Sequence, residues 1–470
     1  MRILESVSPT PEQLRILTDS GSGFRLIRGA AGSGKTTTAL LRLKQLCRSR
    51  LSRRERLGVV DPVRVLVLTY NTTLQGYISE LARRQVAGNP GLVLDVRTFS
   101  KWAVGMVGPV NILDHRQIDL LLHASVRQVV GPGGPVEYFV QEVEYVLSMF
   151  DPEDLSSYLT LKREGRGSTP RVERPLRQRL LDEVIAPYQK VKADRGAMDW
   201  NDLALAARDA SGPEYNVVII DEAQDFSANQ IRAVLAHLAE DASVTFVIDA
   251  VQRIYPRFFR WNEVGIAIRP NQIYRLTRNH RNTRQIAAFA RPLVEGLPPE
   301  DDGSLPDFSS CEDDGPMPVV VLGKYNEQIK FMLDRLIETI DLTSESVAVL
   351  QPSGGGWFNY ARRALHDRGI PFCELTRQSE WPTSSENVAI STIHSAKGLE
   401  FDHVLLPGLN QELTPHGPED GDGSLEGWRR LFAMGVGRAR RSVMVGTKPG
   451  EQSTLIGMLS ADTYELVDLS

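Results

Sequence analysis

Residues 24–36 read Phe-Arg-Leu-Ile-Arg-Gly-Ala-Ala-Gly-Ser-Gly-Lys-Thr. A short apolar strand, Phe24–Arg28, runs into a glycine-rich turn, and a helical pattern follows from Thr36 to Leu46. Residues 29–36 match the P-loop pattern in full. Gly29, Gly32 and Gly34 let the backbone turn tightly. With Ala30, Ala31 and Ser33 they make a loop whose N–H groups aim at phosphate oxygens. The helix that opens there adds the positive end of its dipole. Lys35 reaches the β- and γ-phosphates, the Thr36 hydroxyl completes a Mg²⁺ shell, and Thr37 lies beside it. A strand, phosphate turn and helix in this order predict an α/β fold and a nucleoside triphosphate site.

Residues 217–225 read Val-Val-Ile-Ile-Asp-Glu-Ala-Gln-Asp. Two acids follow four apolar residues at a strand end. Asp221 is placed to hold Mg²⁺, directly or through water, and Glu222 to take a proton from an attacking water. Gln224 reads as a polar relay to whatever follows.

The 470 residues suffice for two or more domains. A hydrophobic share of 41% and a charged share of 24% are those of an ordinary globular protein. No apolar run has transmembrane length, and Met1–Pro11 lacks a signal-peptide core. Cys47, Cys311 and Cys373 are far apart and give neither a disulfide framework nor a zinc spacing. A cytoplasmic protein with no membrane partner is expected. Net charge is −5, yet residues 1–110 hold 17 Lys and Arg against 7 Asp and Glu. The densest cluster, Arg42 to Arg56, is either a patch for a phosphate backbone or a solvated helix face.

Along the chain, apolar strands alternate with helical patterns, which predicts parallel sheets. The first half offers strands at Phe24–Arg28, Val63–Thr69, Leu92–Arg97, Val217–Ile220 and Val244–Ile248. Between Asn111 and Asp199 the pattern is helical, at Arg116–Val130, Val136–Phe150 and Pro175–Asp194. A second set of strands follows an acidic linker, Leu297–Pro318: Val319–Leu322, Val347–Leu350, Val388–Thr392, His403–Pro407 and Ser442–Val445.

Further stretches appear in a fixed order: Pro11-Glu-Gln, Leu68-Thr-Tyr-Asn-Thr-Thr, Arg97-Thr-Phe-Ser-Lys-Trp, Met198-Asp-Trp-Asn-Asp-Leu, Ile248-Asp-Ala-Val-Gln-Arg-Ile-Tyr, Asn279-His-Arg, Thr392-Ile-His-Ser-Ala-Lys-Gly-Leu-Glu-Phe, and Leu431 to Arg440. Together with the P-loop and Asp-Glu-Ala-Gln they resemble the UvrD/Rep/PcrA group of superfamily one helicases. The resemblance covers almost the whole chain. It implies two RecA-like P-loop domains with parallel sheets: residues 1–110 with 200–290, and 291–470 carrying an arginine finger. A mainly helical insertion, 111–199, sits in the first.

The resemblance also implies roles. Gln13 reads adenine, Gln252 senses the γ-phosphate, and Arg281 and Arg438 reach the γ-phosphate from across the cleft. His280 stands where the family stacks a tyrosine on adenine, and Glu400 meets the ribose. Lys35, Glu222, Gln252, Arg281 and Arg438 form the catalytic set. Single-stranded DNA is expected at Tyr70, Asn71, Thr98, Phe99, Tyr255, Phe258 and His394, with Trp102 as a further aromatic candidate. Core packing is the competing reading for Phe99 and Trp102, and a structural hydrogen bond for His394. Lys397 is either a DNA contact or a charge within its loop.

Three departures from the family pattern stand out besides His280. Ile248-Asp249 replaces a Gly-Asp start, Arg257 occupies a tryptophan position, and Gly437 replaces a threonine. The large insertion that full-size relatives carry between Arg281 and Val388 is absent or vestigial. The expected activity is ATP- and Mg²⁺-dependent 3′-to-5′ translocation on single-stranded or tailed duplex DNA, alone or beside a nuclease or other protein subunit. The alternative is a DNA-stimulated ATPase that acts as a sensor in repair or anti-phage defence without unwinding by itself.

Overall fold

The structure is a computed structural model and describes residues 9–29, 33–69, 72–86, 89–160, 172–248, 259, 261–276, 282–297, 311, 313–354, 356–375, 382, 386–396, 399–415 and 423–469. Six strands form the first sheet: β1 (Gly23–Gly29), β2 (Val63–Thr69), β3 (Leu92–Thr98), β4 (Tyr215–Ile220), β5 (Leu238–Ile248) and β6 (Ile273–Leu276). Their order is β3-β2-β4-β5-β1-β6, and every pair is parallel. Seven more form the second: β7 (Val319–Leu322), β8 (Val347–Gln351), β9 (Phe372–Glu374), β10 (Val388–Thr392), β11 (Phe401–Leu406), β12 (Ala439–Thr447) and β13 (Glu465–Asp468). That sheet runs β13-β7-β12-β11-β8-β10-β9, again all parallel. Strands β4 and β11 are buried along their whole length, as central parallel strands with both faces covered must be. The apolar runs therefore announced their strands. The edge strands β6, β9 and β13 are only three or four residues long and carried no such signal.

Helices α1 (Pro11–Thr18), α2 (Lys35–Leu57), α3 (Thr72–Val86) and α4 (Phe99–Val107) flank the first sheet. The insertion contributes α5 (His115–Val130), α6 (Val136–Met149) and one long helix made of α7 (Arg174–Arg179), a π turn (Leu180–Ile185) and α8 (Ala186–Asp194). Pro187 explains the π turn. It has no N–H to give and its ring crowds the preceding turn, so the register widens and Ala186 N–H bonds the Leu181 carbonyl. Val126, Val143, Val146, Val184 and Ile185 of the insertion join Leu66, Leu68, Val218 and Ile220 of the sheet in one core. The chain returns through α9 (Trp200–Asp209) and α10 (Ala228–Leu235).

The second sheet is served by α11 (Arg284–Val294), α12 (Tyr325–Thr339), α13 (Gly356–Asp367), α14 (Gly423–Val436) and α15 (Thr454–Gly457). Arg429 on α14 donates to the Leu293 and Pro292 carbonyls at the end of α11, at 3.0 and 3.4 Å. A guanidinium there satisfies terminal carbonyls and complements the helix dipole. No helix among the described residues is long and apolar enough to cross a membrane.

One polar knot fixes α1 to the first sheet. Asp19 takes a two-point ion pair from Arg25, at 2.5 and 2.9 Å, and a bond from the Tyr274 hydroxyl at 2.6 Å. Buried Arg42 donates to the Ile16 carbonyl at 2.8 Å, to the Asp19 carbonyl, and to Thr245 Oγ1 at 3.1 Å. The Arg25 hydrogen bonds, first among several donors, hold the Asp19 carboxyl far below the usual carboxylate range. Its folded pKa lies below its unfolded one, so its stabilisation is present above about pH 4 and is lost as pH falls further. Asp19→Asn is expected to cost about 1–2 kcal/mol near neutral pH and to flatten the acid limb of stability. Urea titrations from pH 7 down through pH 3 check this, because the gap between variant and wild type should begin to narrow below about pH 4 and close only as pH falls through the depressed folded pKa.

Candidate nucleotide site and nucleic-acid face

The C-terminal ends of parallel strands gather on one edge of a sheet, where α/β proteins bind ligands. In the first sheet that edge carries Gly29 at the end of β1, Thr69 at the end of β2, Thr98 at the end of β3 and Asp221 after β4. Gly29 admits no side chain: a Cβ there would lie 2.3 Å from Ser33 Oγ and 2.9 Å from the Leu276 carbonyl oxygen. Gly34 is the N-cap of α2 with φ of +75°, and no side chain caps the helix. The first N–H groups of a helix of 23 residues are thus left to a ligand. Lys35 opens the helix and is buried. The buried Ser33 hydroxyl has no hydrogen-bond partner among the described residues. A cradle too tight for a Cβ, an uncapped helix and an orphaned hydroxyl fit a phosphate chain. Thr37 is half-buried on the first turn, whereas Ala30, Ala31 and Gly32 lie outside the described residues.

Gln13 reaches the same place from α1. Its Oε1 accepts from Thr10 N–H at 2.9 Å in a capping box, and its Nε2 lies 2.9 Å from where a Gly34 Cβ would stand. The knot around Asp19 and Arg42 therefore bears directly on where Gln13 sits.

The acid pair completes this half. Asp221 N–H continues the ladder to the Leu68 carbonyl at 2.9 Å, which plants the carboxylate at 2% exposure beside α2. Thr36 Oγ1 donates toward Asp221 Oδ2 at 3.1 Å and lies 3.3 Å from Oδ1. Burial, and next the charge of Glu222, push the Asp221 carboxyl up to about 7, against the pull of Thr36 and Lys35. A hydroxyl and a carboxylate side by side fit Mg²⁺, which takes few protein ligands when phosphates supply others. Glu222 has φ of +52° and is, among the described residues, the non-glycine with positive φ. A left-handed glutamate is strained by about 1–2 kcal/mol. Asp225 N–H binds its carbonyl at 2.9 Å, and Gln224 Nε2 donates to Glu222 Oε2 at 2.5 Å. Gln224, read from the sequence as a polar relay, is thus bonded to Glu222.

In the second sheet, Glu400 and Arg438 stand just before the adjacent strands β11 and β12. Glu400 is half-buried. Arg438 is only 1% exposed, and its guanidinium donates to the Met434 carbonyl at 3.1 Å and the Leu399 carbonyl at 3.3 Å. Phe401 N–H bonds the Arg438 carbonyl at 2.9 Å. The expected finger is therefore held within its own domain here. Gln252, His280 and Arg281 lie outside the described residues.

The nucleic-acid face needs correcting. Thr98 is buried and its hydroxyl accepts from Lys101 N–H at 3.4 Å, capping α4. Phe99 is 6% exposed, edge-on to Phe226 with centroids 6.1 Å apart. Trp102 is buried and its Nε1 donates to the Tyr215 hydroxyl at 3.2 Å. None of these rings offers a face on which a base can stack, and the Thr98 hydroxyl is engaged by a helix end. His394 is half-buried on the turn after β10. Tyr70, Asn71, Tyr255, Phe258 and Lys397 lie outside the described residues. The missed candidate in this stretch is Lys101, whose exposed Nζ reaches Gln75 Oε1 at 3.2 Å at the same sheet edge. It stands in the Arg97-Thr-Phe-Ser-Lys-Trp segment, between the buried rings of Phe99 and Trp102.

The Arg42–Arg56 cluster is mostly consumed by the fold. Arg42 is buried, Arg50 and Arg53 pair with Asp241 at 3.0 and 3.4 Å, and Arg54 donates to Asn216 Oδ1 at 3.0 Å. Its members from Arg48 on also lie in the far half of α2, which rises about 1.5 Å per residue away from the phosphate turn.

Two parallel sheets, one ending in a phosphate cradle and an acid pair, define a P-loop NTPase of two RecA-like domains. Residues 13–257, just over half of the chain, match the family described as AAA domain, and residues 372–448 match the UvrD-like helicase C-terminal domain. The chain belongs to the UvrD/Rep-like helicases of superfamily one. It is similar to the ATP-dependent DNA helicase UvrD2 of Mycobacterium tuberculosis, with 23% identity over 441 residues, covering 68% of this chain and 59% of that one. It is also similar to DNA helicase II of Rickettsia typhi, with 42% identity over 62 residues, covering 13% of this chain and 9% of that one. Rep of Salmonella typhimurium is 29% identical over 70 residues, covering 15% and 10%. The chain thus spans about three-fifths of the UvrD2 relative's length.

Proposed function

We propose that this protein is an ATP-driven motor that moves 3′ to 5′ along single-stranded DNA, with hydrolysis in the cleft between its two sheets. The observation that carries the hydrolytic part is the Thr36–Asp221 contact, which brings the uncapped end of α2 and the acid pair to one point. There the α2 N–H groups and Lys35 hold the phosphates, and Glu222 takes the proton of the attacking water. The water oxygen bonds the γ-phosphorus as the bond to the bridging oxygen breaks. Thr36 and Asp221 would hold Mg²⁺, which supplies charge neutralisation at the phosphates. Gln13, His280 and Glu400 serve the nucleoside, and Gln252, Arg281 and Arg438 serve the γ-phosphate from the second side.

The division into domains follows: 1–110 with 200–290, the insertion 111–199, and 291–470. The Arg429 bonds to α11 support an earlier last boundary, before Asn282, with α11 moving with the second sheet. Opening and closing of the cleft would then shift two DNA-gripping surfaces against each other. The DNA-stacking roles pass to Tyr70, Tyr255 and Phe258, with Asn71 and His394 as polar contacts. The names of the relatives support DNA as the track, and a nuclease or other subunit is proposed as the protein partner.

The test is ATP hydrolysis with and without a single-stranded DNA oligonucleotide, followed by strand separation on 3′-tailed and 5′-tailed duplexes. Strong stimulation by DNA and unwinding of the 3′-tailed substrate alone are expected. Stimulation without unwinding of either duplex would replace the motor with a DNA-sensing ATPase. No stimulation by any nucleic acid would sink both.

A further inference from the structure

Asn282 is buried at the start of α11, far in sequence from the second-sheet residues it touches. Its Nδ2 donates to the Ala439 carbonyl at 2.6 Å and to the Gly437 carbonyl at 3.4 Å. Those two carbonyls flank Arg438. The arginine is fixed from the remaining sides as well: its N–H bonds the Gly435 carbonyl at 3.1 Å, and its carbonyl accepts Phe401 N–H at 2.9 Å. Its guanidinium spans the Met434 and Leu399 carbonyls. Three segments distant in sequence, around 282, 399–401 and 437–439, thus meet at one residue.

Gly437 makes the Asn282 bonds consequential. A glycine immediately before the arginine leaves the backbone there freer than any other residue would. A β-strand begins only at Ala439, so Gly437 is tied not by the ladder but by its own N–H, which bonds the Ala433 carbonyl at 2.9 Å. A carboxamide whose two N–H groups can serve two carbonyls adds a tie on the carbonyl side of Gly437 and beyond Arg438.

We infer that Asn282 is a positioning residue for the hydrolytic step, acting by fixing the backbone on both sides of Arg438. The inference rests on Arg438 stabilising charge at the transferring phosphoryl group. Asn282 acts through the backbone of Arg438: it sets the root from which the arginine extends. A misplacement on the order of 1 Å at such a root can cost about 10²-fold in rate. Asn282→Ala removes both donors. Asn282→Asp keeps the shape but turns carboxylate oxygens toward two carbonyls, so its effect should be at least as large. Asn282→Ser retains one hydroxyl donor and should recover part of the loss.

The experiment is a double-mutant cycle in the full chain, reading kcat and KM for ATP with saturating single-stranded DNA, alongside melting temperature. Asn282→Ala is expected to lower kcat about 10- to 100-fold while KM stays within about twofold. Placed on Arg438→Ala, it should lower kcat no further, because its only route to the reaction has been removed. Wild-type kcat in Asn282→Ala, or an undiminished extra loss on the Arg438→Ala background, overturns the inference. If Asn282→Ala does not fold, the same cycle is run with Asn282→Ser. Wild-type turnover in Arg438→Ala alone would instead remove the arginine from the reaction and overturn the reading on which the inference rests.

Discussion

Glu222→Gln should lower ATP turnover by about 10²–10⁴-fold while leaving nucleotide binding intact. The substitution changes one atom and removes the site that accepts the proton. The surroundings predict that nothing else moves. Glu222 is held by its backbone, between the Asp221 N–H bond to Leu68 and the Asp225 N–H bond to its own carbonyl. The Gln224 amide can keep its hydrogen bond, because a glutamine still presents an oxygen to it. The phosphate-holding groups, Lys35 and the start of α2, come from another element altogether. Removing a negative charge near a triphosphate should strengthen binding if it changes at all. Binding of a fluorescent ATP analogue and steady-state hydrolysis, measured on the same preparation, separate the two quantities. Turnover within tenfold of wild type would take the general-base role from Glu222. The positive φ of this residue has the same logic: a strain of about 1–2 kcal/mol persists where surrounding structure dictates a side-chain direction.

This half of the site was legible in the sequence because it is made of local backbone events. A glycine that cannot carry a Cβ, a helix N-terminus and an acid following a buried strand are all written within a few residues of one another. Central strands were legible for a related reason, since burial on both faces demands an unbroken apolar run. What failed depended on partners remote in sequence. Nothing near Arg50 or Arg53 announces Asp241, which pairs with both from about 190 residues away. Phe99 and Trp102 look alike in sequence whether they face a groove or a core, because the strand ends at Thr98 and its alternation ends with it. Tyr215 and Phe226, which receive those rings, are more than a hundred residues distant. The burial of Arg438 is of the same kind. Its position beside Gly437 and at the start of β12 is readable, but the Leu399 carbonyl that holds it lies on another loop.

Arg438→Ala should lower turnover at saturating ATP by about 10³–10⁵-fold, with a modest change in KM. The size follows from the chemistry, since an arginine aimed at the transferring phosphoryl group acts chiefly where charge develops. The structure adds a second consequence. At 1% exposure, the guanidinium donates to two neutral carbonyls that join the end of α14 to the loop before β11. Phosphate oxygens are stronger acceptors than carbonyls, so a bound triphosphate can draw the arginine out of this arrangement when the cleft closes. If Arg438 serves the nucleotide as proposed, these bonds act as a latch that must open first. Alanine abolishes both roles and should also lower the melting temperature, because two buried carbonyls lose a donor. Arg438→Lys distinguishes them. It keeps the charge but lacks the planar fork that serves two acceptors at once, so it should loosen the latch while recovering little turnover. The decisive measurements are kcat with saturating DNA and ATP, and the melting curve of each variant without ligand. Normal turnover in Arg438→Ala would remove the residue from catalysis and leave it a purely structural link.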